Sequence, residues 1–170
     1  DHAYADAMPH HDLVIIGSGS GNSLLTPELD GLDVAIVEGG TFGETCLNVG
    51  CIPTKMFAHP ADVAEEARHA ARLGVDVSGV GVRWTDIRDR VFGRIDAITA
   101  SGEAYRRDGA NTTLYRRHGE FVAPRTLRVG EEVITADRFV LAAGSRPRLP
   151  DVPGMADPEL AGRIHTSDTI

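Results

Sequence analysis

The residues best suited to chemistry are two cysteines in one short run, Thr45-Cys46-Leu47-Asn48-Val49-Gly50-Cys51-Ile52-Pro53-Thr54-Lys55, with four residues between them. On an ideal helix, positions five apart have Cα atoms about 8 to 9 Å apart, whereas a disulfide needs them within about 7 Å. A bridge therefore requires that this segment not be regular helix throughout, with Gly50 permitting a close approach and Cys46 at the entrance of a distorted first turn. A small loop closed by such a bond is a switch whose ease of reduction is tuned by geometry. The other readings are two inert buried thiols, a structural bridge, or a metal site. Cytosolic thiol pools disfavour a structural bridge, and His59 alone does not complete a ligand set, so no metal is expected and a redox pair is favoured. A helix N-terminus and a neighbouring cation would lower a thiol's pKa. Lys55 is the single lysine among 17 basic residues. A compact ammonium four residues after Cys51 suits proton chemistry, the alternative being a chance surface lysine.

A second constellation lies upstream. Leu13-Val14-Ile15-Ile16 runs into Gly17-Ser18-Gly19-Ser20-Gly21-Asn22, and Asp33-Val34-Ala35-Ile36-Val37 ends at Glu38, 21 residues after Gly17. A backbone that binds a pyrophosphate through its amides must pass very close to it, and glycine leaves that room, here at Gly17 and Gly19. A carboxylate closing the second strand can accept both hydroxyls of an adenosine ribose. Together these form a dinucleotide fingerprint that serves NAD and FAD alike. The third position carries Asn22 in place of Gly or Ala, which predicts looser packing of helix on strand.

The elements that must position these residues follow from the pattern. Both apolar runs read as strands of a parallel sheet buried on its two faces. The turn between them leads into a short helix at Ser23-Leu24-Leu25, limited by Pro27. Residues 54–73, rich in Ala, Glu and Arg, read as a helix with Phe57, Ala61, Ala64, Ala67 and Ala71 on its packed face, bent or divided at Pro60. Ile87, Val91, Ile95 and Ile98 recur at helical spacing over 85–107, with Thr85 as N-cap. Residues 112–115, 126–129 and 132–135 read as short strands of a small antiparallel meander turning at Val129-Gly130-Glu131, and a further buried strand spans 138–143 up to Gly144. The expected class is α/β: a Rossmann-like domain with a parallel sheet, incomplete, and the meander beside it.

Composition supports an ordinary globular domain: 170 residues, 42% hydrophobic and 25% charged, enough for a core without disulfide or metal staples. A net charge of -8 argues against nucleic-acid partners. No apolar run approaches the roughly 20 residues of a membrane helix, and the opening stretch lacks a signal peptide's hydrophobic segment. The expected location is cytoplasmic. Residues 1–9, which include Met8-Pro9, are read as a leader or remnant, and 10–170 as the domain proper.

The run from Cys46 to Lys55 closely resembles the redox helix of the flavin-dependent disulfide reductases, the family that includes glutathione reductase and lipoamide dehydrogenase. The stretches 17–23, 40–43, 91–96, 143–147 and 165–169 look most like its branch acting on mycothiol disulfide. Residues 135–144 match the threonine, apolar strand and small-residue ending found where such proteins close over FAD. The resemblance implies that Cys51 faces the flavin, Cys46 attacks the substrate disulfide, and Lys55 lies near the reactive edge of the isoalloxazine. It further implies that Gly17, Ser18, Gly19, Ser20, Gly21, Glu38, Gly39, Gly43, Thr45, Ala143, Gly144 and Ser145 hold FAD, with His118 and Gly119 giving backbone contacts on the adenine side. Electrons would pass from NADPH to FAD, to the Cys46–Cys51 pair, and on to a low-molecular-weight disulfide. Lipoamide dehydrogenase chemistry, another disulfide substrate, or an FAD-binding module without turnover are the alternatives.

Two departures from that pattern carry expectations. The family has two glycines before Thr-Cys, whereas this chain has Gly43-Glu44. A carboxylate there would repel a pyrophosphate, and a side chain would be strained in a position suited to glycine. No second glycine fingerprint follows Gly144, so the NADPH site and the domain that makes the full-length protein a homodimer are expected to lie outside this chain, which is read as the N-terminal FAD and redox-disulfide portion.

Overall fold

The computed structural model describes residues 8–155 and 157–169. The expected leader lies outside the described residues except for Met8 and Pro9, and the Pro9 carbonyl accepts the Thr135 amide at 2.9 Å. The chain divides into two compact units: one holds the described residues up to Glu44 together with Thr99–Ser145, the other Thr45–Ile98 together with the described residues from Arg146 onward.

The first unit contains a sheet of six strands among the described residues: β1 (His10–Ile16), β2 (Val34–Val37), β3 (Thr112–Tyr115), β4 (Gly119–Ala123), β5 (Thr126–Val129) and β6 (Glu132–Leu141), in the order β3-β2-β1-β6-β5-β4. The first four in that spatial order are mutually parallel, and β5 and β4 continue antiparallel. Two-sided burial explains the continuous apolar runs. Leu13, Ile15 and Val34 pack on one face with Leu25, Leu29 and Leu32 of the first crossover. Val14, Ala35 and Val37 pack on the other with Leu127, Val129, Ile134 and Ala136. Parallel order with a crossover on each side of β1 makes the carboxyl ends of β1 and β6 a topological switch point, where open α/β sheets take ligands.

The α/β class with a parallel sheet and an antiparallel part is therefore the observed one, with several local corrections. Residues 112–115 are not part of the meander: Val34 to Val37 pair in parallel with Thr112 to Tyr115, making β3 the outer parallel strand. The meander is β4-β5-β6, and β4, whose residues are exposed and show no alternation of burial, had no periodic signal. The two strands expected at 132–135 and 138–143 are one. Thr135 pairs with Thr126 of β5 on one side and His10 of β1 on the other, so a single extended strand changes partner midway. The helix expected at Ser23 is a five-residue 3-10 segment, Ser20–Leu24.

In the second unit, α1 (Glu44–Asn48, entered from the boundary) is followed by α2 (Cys51–Arg68), a 3-10 segment (Ala70–Leu73), and α3 (Trp84–Arg107), which continues past Ile98 into the first unit. The α2 helix continues through Pro60, whose missing N–H costs one rung of the ladder; it stops instead at His69, and Gly74 closes the turn at φ 77°. Thr85 lies inside α3, not at its cap. Phe57 stacks on Trp84 at 5.3 Å and meets Phe92 edge-on at 5.9 Å. The remaining packed positions are small or branched: Pro53, Ala64, Val91 and Ile95 are buried.

Candidate functional site: a glycine cradle and a dithiol

In the first unit, the carboxyl ends of β1, β2 and β6 converge on the glycine turn. Gly17 leaves β1 at φ 107°, a conformation open to glycine, and its amide donates to the Val37 carbonyl at 2.9 Å. Ser18, 2% exposed, donates to Glu38 Oε2 from its amide at 2.9 Å and its hydroxyl at 2.6 Å. The Gly40 amide donates to Glu38 Oε1 at 2.5 Å, and the Gly43 amide donates to Ser18 Oγ at 2.9 Å. Ser18 thus ties the turn after β1 to both ends of the loop after β2. Burial pushes the Glu38 carboxyl upward, but the Ser18 hydroxyl, the Gly40 and Ser18 amides and Glu44 outweigh it, so its pKa lies below the usual range.

Glu44 closes this loop at φ 46°, the left-handed region that costs a non-glycine residue about 1 kcal/mol or more. Its side chain turns back over the glycines. A Cβ at Gly17 would fall 2.5 Å from Glu44 Oε1, and a Cβ at Gly19 or Gly144 would fall 2.9 or 3.0 Å from Oε2. Burial, then the charge of Glu38, then a hydrogen bond with Glu38 raise the Glu44 pKa, opposed by the Ser18 backbone. Of the two hydrogen-bonded carboxyls, Glu44 is the one that binds a proton more readily. The strain expected at this position is therefore present, and the carboxyl group lies in the cradle itself.

The third glycine of the turn has a role the sequence assigned to its neighbour. A Cβ at Gly21 would lie 2.8 Å from Ala142 Cβ and from Ile15 Cγ2, so close packing is achieved at Gly21, and Asn22 does not loosen it. Asn22 Nδ2 instead donates to the Ser18 carbonyl. A five-residue 3-10 segment has little aligned dipole, so room for a phosphate comes from glycines and not from a helix terminus. The missing side chains at Gly17, Gly19 and Gly144 leave room that the Glu44 carboxyl enters, so a pyrophosphate would fit there only with that side chain displaced.

Other expected contact residues fall as follows. The His118 ring lies against Gly39, where a Cβ would meet it, beside the strand end that carries Glu38. Gly119 is required for packing, since its Cβ would approach Leu127 Cδ2 at 2.9 Å and Val37 Cγ1 at 3.2 Å. Ser20, Ala143, Gly144 and Ser145 are exposed. Arg116 was not legible in the sequence. It donates from Nη1 to the Glu38 carbonyl at 3.1 Å and pairs through Nε with Glu103 at 3.0 Å, from 78 residues away.

In the second unit, the helix is interrupted between the cysteines. Cys46 lies within α1, Cys51 opens α2, and Gly50 caps α2 at φ -130°, ψ -109°. A Cβ at Gly50 would lie 2.8 Å from the Thr45 carbonyl oxygen, so glycine permits the fold-back. Both cysteines are free and exposed, as are Thr45 and Lys55, which lies one turn into α2. A hydrogen bond from the Cys46 thiol to Cys51, then desolvation, then the Cys51 charge raise the Cys46 pKa, while the Cys51 backbone opposes them. The expected lowering of a thiol's pKa thus does not hold at Cys46. The neighbouring sulfur helps it keep its proton, and that outweighs backbone dipoles at an exposed position. Among the described residues no helix is long and apolar enough to cross a membrane, and no three His, Cys, Asp or Glu side chains group to hold a metal ion.

Comparison with known proteins adds the family. The chain is 49% identical to mycothione reductase of Mycobacterium tuberculosis over 96% of its own length and 36% of that protein. It is 32% identical to dihydrolipoyl dehydrogenase of Mycoplasma pneumoniae over 91% of the chain and 34% of that protein. With glutathione reductase of Yarrowia lipolytica it shares 30% identity over 87% of the chain and 35% of that protein. The chain thus spans about a third of the length of these relatives. Among solved structures, the HOCl-induced flavoprotein disulfide reductase RclA of Escherichia coli, a Cu(II) complex, superposes with a TM-score of 0.67 at 25% identity, covering 84% of this chain and 30% of that one. The family model for pyridine nucleotide-disulphide oxidoreductases matches residues 11–170, and with a glycine cradle at a sheet switch point and a dithiol on a broken helix, this chain belongs to that family.

Proposed function

We propose that this chain is the FAD-binding and dithiol portion of an NADPH-dependent reductase of mycothiol disulfide, a homodimer of the cytoplasm in its full form. The observation that carries the reading is the helix interruption at Gly50, which leaves Cys46 in α1 and Cys51 at the start of α2, both free and exposed. Similarity to mycothione reductase at 49% identity supports the substrate. A bound flavin would supply two-electron transfer between a nicotinamide and a dithiol. NADPH would be the electron donor, and residues 10–170 are proposed as an FAD-binding domain that carries the redox-disulfide helix.

The chain's own residues perform the rest. Gly17, Ser18, Gly19, Ser20, Gly21, Gly43 and Gly144, with flanking Ala143 and Ser145, would cradle the pyrophosphate. Glu38 with Gly39, and His118 with Gly119, would take the adenosine side; Thr45 and Lys55 would complete the set, with the Lys55 ammonium offsetting negative charge on the reduced cofactor. The Cys46 thiolate attacks one sulfur of the substrate; that S–S bond breaks, one thiol leaves with a proton, and a mixed disulfide remains. The Cys51 thiolate then attacks Cys46 Sγ, releasing the second thiol. The substrate gains two electrons and the dithiol loses two, which a bound flavin would return to it. Because Cys46 holds its proton, the first attack needs a base to remove it.

The test uses the prereduced chain and mycothiol disulfide, with glutathione disulfide and oxidised lipoamide in parallel. Two thiols released per chain, fastest with mycothiol disulfide, and one per chain from Cys51→Ala, support the reading. Release of no thiol from any of the three would overturn the dithiol mechanism, and preference for another disulfide would overturn the substrate.

A further inference from the structure

We infer that the Glu44 carboxyl group is a built-in occupant of the phosphate cradle, so that its displacement sets how tightly the chain takes a dinucleotide; the inference rests on the FAD-binding reading above. The geometry is direct. The two carboxyl oxygens of Glu44 approach the positions a Cβ would occupy at Gly17, Gly19 and Gly144, the glycines whose openness makes the cradle. A phosphate oxygen and a carboxyl oxygen compete for the same space, and a phosphate would also oppose any ionisation of the carboxyl beside it. Glu44 is moreover held there: its backbone sits at φ 46°, and its carboxyl is hydrogen-bonded to Glu38, which is itself fixed by the Ser18 and Gly40 amides and the Ser18 hydroxyl. A ligand phosphate must therefore break the Glu44–Glu38 contact and swing the side chain outward before it can seat. Affinity falls by the equilibrium constant of that opening, as for any ligand whose competent state is a minor one.

The test compares the 170-residue chain with Glu44→Gly, which removes the side chain, and Glu44→Gln, which keeps its bulk but cannot ionise. FAD is titrated by flavin fluorescence, and inorganic pyrophosphate separately by the shift in melting temperature. Glu44→Gly binding FAD about tenfold or more tightly than the parent, with Glu44→Gln between them and pyrophosphate raising the melting point in the same order, supports the inference. Equal FAD affinities for the parent and both variants overturn it. If no version binds FAD but pyrophosphate stabilises Glu44→Gly above the parent, the FAD reading falls and the role of Glu44 stands. No difference between the proteins in either titration overturns it outright.

Discussion

Gly50 and Thr45 meet so closely that a single methyl group at Gly50 would lie 2.8 Å from the Thr45 carbonyl oxygen and 3.2 Å from Thr45 Cγ2. That contact lies at the interruption between α1, which carries Cys46, and α2, which Cys51 opens. Gly50→Ala must push the backbone apart, at about 1–3 kcal/mol for an overpacked site. The expected outcome is a lower denaturant midpoint together with slower closure of the Cys46–Cys51 bridge under a mild oxidant. A variant that closes the bridge at the parental rate would show that the contact does not govern the pair.

The raised pKa of Cys46 gives a second expectation. Cys51 is the leading cause, through its hydrogen bond and its charge, so Cys51→Ala should let the Cys46 pKa fall back toward the ordinary thiol value. Alkylation of Cys46 by iodoacetamide near neutral pH should then be faster in Cys51→Ala than in the parent, whose rate profile rises only at higher pH. Superimposable profiles for Cys46 in the two proteins would remove Cys51 as the cause.

The paired carboxyls at the cradle predict opposite pH dependences. Glu38 is lowered, so it contributes stability above the ordinary carboxylate range that is lost as pH falls through its folded value. Glu44 is raised, so its contribution is present below the ordinary range and is lost as pH rises through its folded value. The charged group facing Glu44 is Glu38, at the end of β2, and the polar one is Ser18, after β1. Glu44→Gln should therefore gain stability over the parent on the alkaline side of the carboxylate range and lose that advantage in acid. Glu38→Gln, leaving the Ser18 and Gly40 donors poorly matched, should cost about 1–3 kcal/mol at neutral pH and less in acid. Thermal melts of the three proteins from acid to neutral pH test both signs.

What the sequence made legible was local: the apolar runs of β1 and β2, the glycine turn, the acid after β2, and a cysteine spacing that a bridge could close only off a continuous helix. What escaped it was pairing. Nothing in residues 112–115 separates an outer parallel strand from a meander strand, because its partner β2 lies about 80 residues away and both assignments want the same β-branched and aromatic residues. The unity of β6 was hidden by Ala136-Asp137, a small residue and an acid that look like a break but fall where the strand exchanges β5 for β1. At the cradle, a side chain at a glycine position was visible in Glu44, but its hydrogen bond to Glu38 depends on how the loop after β2 closes over the turn after β1. Arg116 shows the same limit: its bond to the Glu38 carbonyl has no counterpart in local pattern.

The glycine turn offers a last contrast. In the dinucleotide fingerprint the third glycine serves close helix-to-strand packing, and Asn22 stands at that place. Here the packing falls on Gly21, which is buried and whose Cβ would lie 2.8 Å from both Ala142 Cβ and Ile15 Cγ2, atoms of two neighbouring strand segments that cannot both retreat. Asn22 Nδ2 donates to the Ser18 carbonyl, but its Oδ1 is buried with no hydrogen-bond partner. Removing that side chain therefore loses one hydrogen bond and also relieves one unsatisfied acceptor, two effects of similar size and opposite sign. Gly21→Ala should destabilise the chain by about 1–3 kcal/mol, whereas Asn22→Ala should change it by less than about 1 kcal/mol. Urea midpoints of the two variants decide the matter, and the reverse order would return the packing role to position 22.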